Sequence, residues 1–546
     1  MGTDAATPGK PLRVAVLADP DNLLPGEVRL LERIGSDRHV GLVALLELTA
    51  DPGAVSGIDR NGRSSKSLLP MVIAVERRLL RRGRTPSKRS CDKLFPPDLI
   101  RVRASDHEPC LPASGLERIL ALELDVIIDL KGVPAARSLA ALARHGVWFR
   151  SYGYATDNDV PGFRELSDNR GIATVTLRRY APRSAEEGRI TSASYPARTT
   201  YTSNIECARD NSAELIWREL RNAQREGRVK LLPMSSAGPV ASTRSEIGQV
   251  TAYAARLGAG ALSAAQRNVA ARQGIPTDRW SLFVGKGRYD ASDWSQATET
   301  RPPRGEYWAD PFLFRRRDDT RTYVFFEVFD YRSGKGKISA GFLSDGSIVP
   351  IGDALDTGYH LSYPFVFEHD GSIWMIPESH ETRRLEIWRC VDFPLRWTLE
   401  KTAMEGLSLA DSSVCEHDGR WWLFANQAES AAGDHNSELY IYQIDSPMMN
   451  VIVPHAGNPV LIDARRGRNG GRIRRENGFL VRPAQNNAFR YGYGLGIYRI
   501  RTLTLDAYDE EPIFSVEPDF RPGITCCHHI DACEDIFVFD ARRRFG

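Results

Sequence analysis

The feature of this sequence that most constrains its fold is a hairpin unit repeated through the C-terminal half. Three copies occupy residues 361–379 (LSYPFVFEHDGSIWMIPES), 409–427 (LADSSVCEHDGRWWLFANQ) and 468–486 (RNGGRIRRENGFLVRPAQN). In each copy, alternating apolar residues lead to an Asp-Gly or Asn-Gly turn and then to a second apolar strand, which is typical of a β-hairpin. Recurrence at roughly fifty residues is typical of the blades of a propeller.

Two further copies complete the repeat. Residues 309–327 (ADPFLFRRRDDTRTYVFFE) carry a longer hairpin, and residues 526–541 (CCHHIDACEDIFVFDA) form a divergent copy. Between the copies lie apolar stretches that supply outer strands, such as LEIWRCVDF, ELYIYQID and LGIYRI. These units predict an all-β five-bladed propeller over 280–546. The last copy has one hairpin only, so we expect residues 280–287 (WSLFVGKG) to pair with it and close the ring.

The N-terminal half predicts a different class of fold. Short apolar runs flank helical patterns, which is typical of parallel strands in an α/β sheet. The runs are LRVAVLA at 12–18, VGLVALL at 40–46 and LDVIIDL at 124–130. The first run is followed by DPDNLLPG rather than a glycine-rich turn, which argues against a dinucleotide site.

Domain boundaries follow from these patterns. We expect an α/β domain over 1–204 with a basic insertion near 50–115, and a helical connector over 205–279 ahead of the propeller. His145, in a turn before an apolar run, is expected at the surface.

Charge and hydropathy exclude several functional classes. The 72 basic and 70 acidic residues give a net charge of +2, so we expect no nucleic-acid partner. No stretch approaches the roughly eighteen apolar residues that a transmembrane helix needs, and the N-terminus lacks the apolar core of a secretory signal, so we expect a cytoplasmic protein. The basic run at 76–103 predicts a solvated insertion, with peripheral contact to an anionic membrane as the alternative.

The eight cysteines lack the paired spacing of a zinc site. A local cluster is formed by Cys526, Cys527, His528, His529 and Cys533. Adjacent residues on a strand point to opposite faces, so this cluster is not expected to converge on one ion. We therefore expect neither a metal nor a cofactor.

Equivalent positions of the repeat predict a central site, because the innermost strand of every blade begins at the channel. One set of positions comprises Asp310, Tyr363, Asp411 and Gly470, with Cys527 or His528 in the last copy. A second set comprises Glu327, Glu378, Asn426 and Gln485. Crowded carboxylates raise one another's pKa values, so that one can act as an acid while another stays ionised.

Several segments resemble known families. WADPF at 308–312 and PES at 377–379 resemble the five-bladed propellers of glycoside hydrolases and fructan-active enzymes. That resemblance implies Asp310 as base or nucleophile, Glu378 as general acid and Asp411 as the carboxylate that tunes it. A closer resemblance, over nearly all of 300–546, is to the N-terminal propeller-like region of plant glucosamine inositolphosphorylceramide transferases, carried by YWADPF, SYPFVFEHDG, ADSSVCEHDGRWWLFAN, HAGNPV and YGYG.

Residues 124–190 resemble the N-terminal domain of folate-dependent formyltransferases in the order of their strands and turns. Where that family uses Asn and His, this chain has Trp148, Phe149, Arg150 and Ser151, and its Asp is replaced by Glu186. Because arginine and phenylalanine cannot replace an imidazole that exchanges protons near neutral pH, the resemblance implies the fold without formyl transfer.

Other side chains in the repeat suit a sugar, since aromatic faces stack on pyranose rings and polar groups hydrogen-bond hydroxyls. The predicted substrate-binding residues are Trp308, Glu327, Tyr363, Asn426, Arg472, Gln485, Asn486 and His528. We therefore expect a carbohydrate-active protein that transfers or hydrolyses a glycosidic linkage in a glycan, glycolipid or sugar-nucleotide. The alternatives are a non-catalytic glycan-binding scaffold and, disfavoured, a sugar N-formyltransferase.

Overall fold

The computed structural model describes residues 10–48, 68–80, 99–104, 111–153, 160–183, 186–233, 244–272, 278–428 and 435–544. The chain divides into two compact units, Met1–Gly260 and Ala261–Gly546. Among the helices in the described ranges, none combines the length and apolar character that crossing a bilayer requires.

Within the described part of the N-terminal unit, seven strands form one mixed sheet. They are β1 (Leu12–Ala18), β2 (Val40–Leu48), β3 (Ile100–Ala104), β4 (Val126–Asp129), β5 (Val147–Tyr152), β6 (Ile172–Tyr180) and β7 (Glu187–Pro196). The order across the sheet is β3-β2-β1-β4-β5-β6-β7, parallel from β3 to β5 and antiparallel beyond. Val14, Val16 and Ile127 are fully buried, as expected of parallel strands covered on both faces. The predicted α/β fold is confirmed.

The helices of this unit are α1 (Pro25–Ser36), α2 (Leu68–Leu80), α3 (Ala113–Leu120), α4 (Phe163–Ser167), α5 (Tyr201–Glu226) and α6 (Glu246–Arg272). α5 begins where the Thr200 side chain accepts a hydrogen bond from the Ser203 amide, and it ends at Gly227 in the left-handed region. It packs against α1, β6 and β7, so the first helix of the range predicted as a connector covers this sheet. The division between the units falls within α6.

Two expectations for this unit change with the structure. His145 is buried, with 7% of its surface exposed, because the turn that carries it packs beside the sheet. The basic insertion contains β3, which pairs in parallel with β2 as the edge strand, while residues 51–67, 81–98 and 105–110 of it lie outside the described residues.

The C-terminal unit, over 278–428 and 435–544, contains five antiparallel sheets that form the blades of a propeller. Its first strands, β8 (Asp278–Lys286) and β9 (Thr298–Thr300), belong to the fifth blade. Blade one comprises β10 (Glu306–Arg315), β11 (Thr322–Asp330), β12 (Lys335–Ser344) and β13 (Ser347–Leu355). Blade two comprises β14 (Ser362–His369), β15 (Ser372–Glu378), β16 (Leu385–Asp392) and β17 (Arg396–Ala403).

Blade three comprises β18 (Ser408–His417), β19 (Arg420–Ala428), β20 (Glu438–Ile444), β21 (Ile452–Pro454) and β22 (Leu461–Ile462). Blade four comprises β23 (Arg468–Asn469), β24 (Arg474–Glu476), β25 (Phe479–Asn486), β26 (Gly494–Leu503) and β27 (Tyr508–Val516). The fifth blade adds β28 (Ile524–Cys526), β29 (Ile530–Cys533) and β30 (Ile536–Arg544) to β8 and β9. β8 pairs along the whole of β30, so the predicted closure of the ring is confirmed.

The innermost strands of blades one to three share a bulge that prepares the site. The register of β10, β14 and β18 shifts at Asp310, Tyr363 and Asp411, whose φ angles are 52°, 46° and 45°. A bulge with a left-handed residue bends a strand and re-aims its side chain. The repeat frame that grouped these three residues therefore corresponds to a real structural equivalence.

Candidate active site

All five blades contribute residues to one cavity of about 300 Å³. Its carboxylates are Asp310, Glu327 and Glu378, and its basic groups are His360, His380, His435, Arg468 and His528. The remaining lining residues are Trp280, Tyr307, Ala309, Ser362 and Tyr491. Because contributions come from every blade, the cavity lies where the blades converge.

Asp310 is held from several sides at the left-handed position of β10. Its amide donates to Asp540 Oδ2 at 2.9 Å, and its own Oδ2 accepts the Tyr363 amide at 3.1 Å. Its Oδ1 lies 3.5 Å from His528 Nε2 and from His529 Nδ1. Burial raises the pKa of Asp310 to about 6, against the opposing charge of His528. This carboxyl therefore changes its protonation state just below neutral pH.

Glu327, on β11, is buried, and its partners among the described residues are a phenol and an imidazole. Its Oε1 accepts the Tyr307 hydroxyl at 3.1 Å and lies 3.7 Å from His360 Nε2. His360 Nδ1 accepts the Gly336 amide, so the ring proton of a neutral imidazole lies on Nε2. Burial and the charge of Asp310 raise the pKa of Glu327 well above its ordinary value. The environment of Glu327 therefore favours the protonated form of its carboxyl group.

Gly336 provides the space that Glu327 occupies. A Cβ at this position would lie 2.5 Å from the Leu361 carbonyl oxygen and 2.7 Å from Glu327 Oε1. Both distances are far below van der Waals contact, so the position of Glu327 requires glycine here.

Glu378, at the end of β15, has the opposite electrostatic environment. Its Oε1 lies 2.8 Å from His380 Nδ1, while its Oε2 accepts the Asp411 amide at 3.3 Å and lies 3.5 Å from Arg468 Nη2. Burial alone would raise the pKa of Glu378, but the His380 hydrogen bond and the Arg468 charge lower it well below its usual range. Two carboxyl groups of one cavity, Glu327 and Glu378, therefore have pKa values that are shifted in opposite directions.

Asp411 lies beneath the cavity and orients Arg468. The guanidinium donates to both carboxylate oxygens, at 2.6 and 3.2 Å, and Gln485 Nε2 adds a bond of 2.9 Å. Burial raises the pKa of Asp411, and the Arg468 charge opposes that rise. Since Arg468 also lies over the Tyr491 ring at 5.1 Å, Asp411 acts on the cavity through Arg468.

His528 forms a second oriented group. Its Nδ1 donates to Asp540 Oδ1 at 2.7 Å, an oxygen that also accepts the amides of His528 and His529. This leaves Nε2 facing Asp310, and the Asp540 and Asp310 carboxylates raise the pKa of His528 against the effect of burial. The Trp280 ring lies 4.3 Å from the His528 ring and forms an aromatic wall.

Asp310, His528 and Asp540 offer ligand atoms within 4.8 Å of one another and could hold a small cation. A cation would compete with the N–H groups that Asp540 accepts.

The expectation that adjacent residues of the 526–533 cluster face opposite ways is wrong at His528 and His529. The chain between β28 and β29 leaves the strand conformation, so both rings approach Asp310 Oδ1.

Three imidazoles stand side by side in the lining. The ring centroids of His360 and His380 are 6.0 Å apart, and those of His380 and His435 are 5.6 Å apart. Burial lowers the pKa of His435 to about 4, whereas the Glu378 hydrogen bond raises that of His380. Only the middle ring of the row therefore readily carries a positive charge.

Several predicted sugar-binding residues do not line this cavity. Trp308 is 6% exposed and packs on Phe326 in the core. The Tyr363 hydroxyl bonds to Ser413 and to the Gly471 carbonyl, and Asn426 bonds to the carbonyls of Glu438 and Gly467. Arg472 pairs with Asp531, and Asn486 accepts the amide of Ala488. Gln485 does not line the cavity either, and it bonds to Asp411 beneath it.

Sequence reasoning missed Arg468 and the row of imidazoles. Arg468 begins the fourth repeat, but the counted frame selected Gly470, because the inner strand of blade four is interrupted between Asn469 and Arg474. His360, His380 and His435 lie between the repeated strands, where equivalence within the repeat carries no signal.

Residues 295–521 match the family model described as glucosamine inositolphosphorylceramide transferase 1, N-terminal. The propeller is similar to that region. The match includes Asp310, Glu327, Glu378 and Arg468, whereas His528 lies beyond it.

Full-length relatives show the same similarity. The glucosamine inositolphosphorylceramide transferase 1 of Oryza sativa subsp. japonica is 35% identical over 265 residues, which cover 45% of this chain and 35% of the rice protein. The Arabidopsis thaliana protein is 36% identical over 216 residues, or 39% of this chain and 28% of that protein. The chain thus spans about a third of the length of these relatives.

Solved structures show only weak likeness. An exo-β-1,3-galactanase from Phanerochaete chrysosporium gives a TM-score of 0.32 at 12% identity, covering 47% of this chain and 60% of that one. RS223-β-xylosidase gives 0.33 at 11% identity, covering 44% and 93%. TM-scores this low have no bearing on the chemistry of the cavity.

Proposed function

We propose that this chain is a carbohydrate-active enzyme that breaks or exchanges a glycosidic bond in the central cavity. The observation that carries the proposal is that one cavity holds two buried glutamates, Glu327 and Glu378, whose contacts shift their pKa values in opposite directions. Environments that drive the pKa values of neighbouring carboxyl groups apart are how acid and base roles are divided in glycoside chemistry.

The roles proposed for Glu327 and Glu378 follow from these opposite pKa shifts. Glu327 donates its proton to the leaving oxygen as the bond from the anomeric carbon breaks. Glu378 accepts the proton of the incoming hydroxyl, from water in hydrolysis or from an acceptor sugar or lipid in transfer, as the new bond forms. Glu327 thus takes the acid role that the sequence resemblance implied for Glu378, and Asp310, with a pKa of about 6, adjusts the charge beside it.

Other lining groups suit a sugar ring. Trp280 and Tyr491, which both line the cavity, lie beside His528 at 4.3 and 5.3 Å between ring centroids. Arg468 and His380 are donors for hydroxyl groups or for a phosphate. The names of the plant relatives point to glucosamine and inositolphosphorylceramide, so amino-sugar donors and inositol phospholipid acceptors are the first substrates to test.

The test is a turnover screen of the purified chain against nitrophenyl glycosides and nucleotide-sugars, with and without inositol phospholipid. We expect Glu327→Gln and Glu378→Gln each to reduce turnover at least about a hundredfold, since each removes one proton-transfer group. Glu368→Gln is the matched control, because this glutamate is exposed at the far end of β14. Glycan binding that survives in both cavity variants, without turnover in the wild type, would identify a binding scaffold instead.

A further inference from the structure

Helix α2 of the N-terminal unit presents apolar side chains on two faces. Leu69 and Ile73, 5% and 6% exposed, pack in a cluster with Tyr201 and Tyr253. A second set points away from that cluster and comprises Leu68, Met71, Val75 and Leu79, which are 46%, 67%, 51% and 62% exposed. Spacings of three and four residues place this second set, here called the α2 stripe, along one side of the helix.

Polar contacts fix the orientation of α2. The Glu76 carboxylate accepts the Thr202 amide at 2.7 Å and also the Tyr253 hydroxyl. Near the other end, Glu246 Oε1 accepts the Leu69 amide at 2.8 Å. Because these bonds hold α2 at Leu69 and at Glu76, the helix cannot rotate about its axis to bury the α2 stripe within its own unit.

The sequence at the end of α2 and after it is strongly basic. Arg77 and Arg78 are exposed in the last turn, and the sequence from 77 to 93 contains eight basic residues against one acidic residue. An apolar stripe bordered by an arginine in a basic stretch of sequence is typical of a helix that lies in the interface of an anionic membrane. A second copy of this chain would bring the same positive charges together, so charge complementarity favours lipid over self-association.

We propose that α2 docks the N-terminal unit on an anionic lipid surface, with the α2 stripe inserted among the headgroups and Arg78, which borders the stripe, paired with a lipid phosphate. At 13 residues, the helix is about 20 Å long, which is shorter than the hydrocarbon core of about 30 Å, so it lies along the surface. This inference does not depend on the chemistry proposed for the cavity.

The test is flotation of the full-length protein with vesicles of phosphatidylcholine alone and of phosphatidylcholine with phosphatidylserine. We expect binding to the anionic vesicles that weakens as salt is added, and weak binding to neutral ones. Met71→Ser/Leu79→Ser should reduce the bound fraction about tenfold, and Arg77→Ser/Arg78→Ser should remove the preference for anionic lipid. Turnover of a soluble substrate should stay unchanged in both variants, which separates this result from any failure at the cavity.

The matched control is Val451→Ser/Ile513→Ser, which removes two apolar side chains that are 57% and 49% exposed on the propeller. Equal loss of binding in this control would overturn the proposal, and so would equal binding of the wild type to neutral and anionic vesicles. Concentration-dependent dimers that Met71→Ser/Leu79→Ser dissociates, in the absence of vesicle binding, would assign the α2 stripe to a second copy. Circular dichroism verifies that each variant is folded.

Discussion

Two buried glutamates, one in each unit, show how different partners give one residue type different uses. Glu27 in the N-terminal unit is fully buried, and its carboxylate bonds to Arg150 at 2.6 Å and to Arg209 at 2.7 Å. Glu327 in the propeller is equally enclosed but has a phenol and a neutral imidazole as its nearest partners. The first carboxylate has its charge balanced by arginines and joins a helix to the sheet, whereas the surroundings of the second favour its protonated form.

The largest effect that would sharpen this comparison is expected from Glu27→Gln. The change leaves Arg150, 6% exposed, without its carboxylate, and breaking a buried pair from one side costs about 3–5 kcal/mol of unfolding free energy. Urea denaturation followed by helical circular dichroism measures the loss. Glu32→Gln on the exposed side of α1 is the control, and a cost below about 1 kcal/mol for Glu27→Gln would contradict the structural role.

Gly336→Ala should displace the side chain of Glu327 while keeping its carboxyl group. The new Cβ would meet both the Leu361 carbonyl and the Glu327 carboxyl, so we expect turnover to fall about tenfold and stability by about 1–3 kcal/mol. Gly352→Ala in the same blade is the control, because the added Cβ there meets only ordinary contacts with Leu395 at 3.4 Å. Equal turnover in the two variants would mean that the position of Glu327 is unimportant.

Asp310→Asn should cost activity but improve stability near neutral pH. The pKa of Asp310 is raised from 3.8 to about 6, so between these values the folded protein binds more protons than the unfolded chain, and stability falls as pH rises. A pKa shift of this size represents roughly 3 kcal/mol of unfolding free energy. Removing the charge should recover on the order of 1 kcal/mol of it above pH 6. Thermal melts at pH 4 and pH 7 test this, and an unchanged pH profile would refute it.

Glu27 should give a pH dependence of the opposite sign. Burial opposes ionisation of Glu27, but Arg150 and Arg209 lower its pKa below the ordinary 4.5, so its stabilising contribution is present above that value and is lost as pH falls through the folded pKa. Acid titration of the wild type beside Glu27→Gln should show a smaller acid-induced loss in the variant. Identical acid profiles would mean that protonation of Glu27 does not affect the stability of the fold.

Recurrence decided what the sequence could predict. The hairpins with Asp-Gly and Asn-Gly turns occur several times, and the blades and the closing strand follow from them, as does the grouping of Asp310 with Asp411. The predicted roles of these residues are untested and stay predictions. Trp308 lies outside the cavity lining because alternation along β10 does not reveal which face meets the next blade. Arg468 was missed because the interruption of the inner strand of blade four shifts the register of that strand.

In the N-terminal unit, the parallel strands were predictable because burial on both faces leaves continuous apolar runs. β3 (IRVRA) was not, since an edge strand with two arginines resembles the basic residues around it. The buried position of Arg150 was also hidden, because its partners Glu27 and Arg209 are far apart in the sequence. The resemblance of this unit to formyltransferases stays a prediction.

The closing strand of the ring implies an order of events during synthesis. β8 and β30 pair residues at least 250 positions apart, as Lys286 and Ile536 show, so the fifth sheet cannot be completed until the β29–β30 hairpin has left the ribosome. Trp280 comes from the first of these strands and His528 from just before that hairpin. After Glu327 and Glu378 have been synthesised, one wall of the cavity is still missing, and any catalytic competence has to wait for the β29–β30 hairpin.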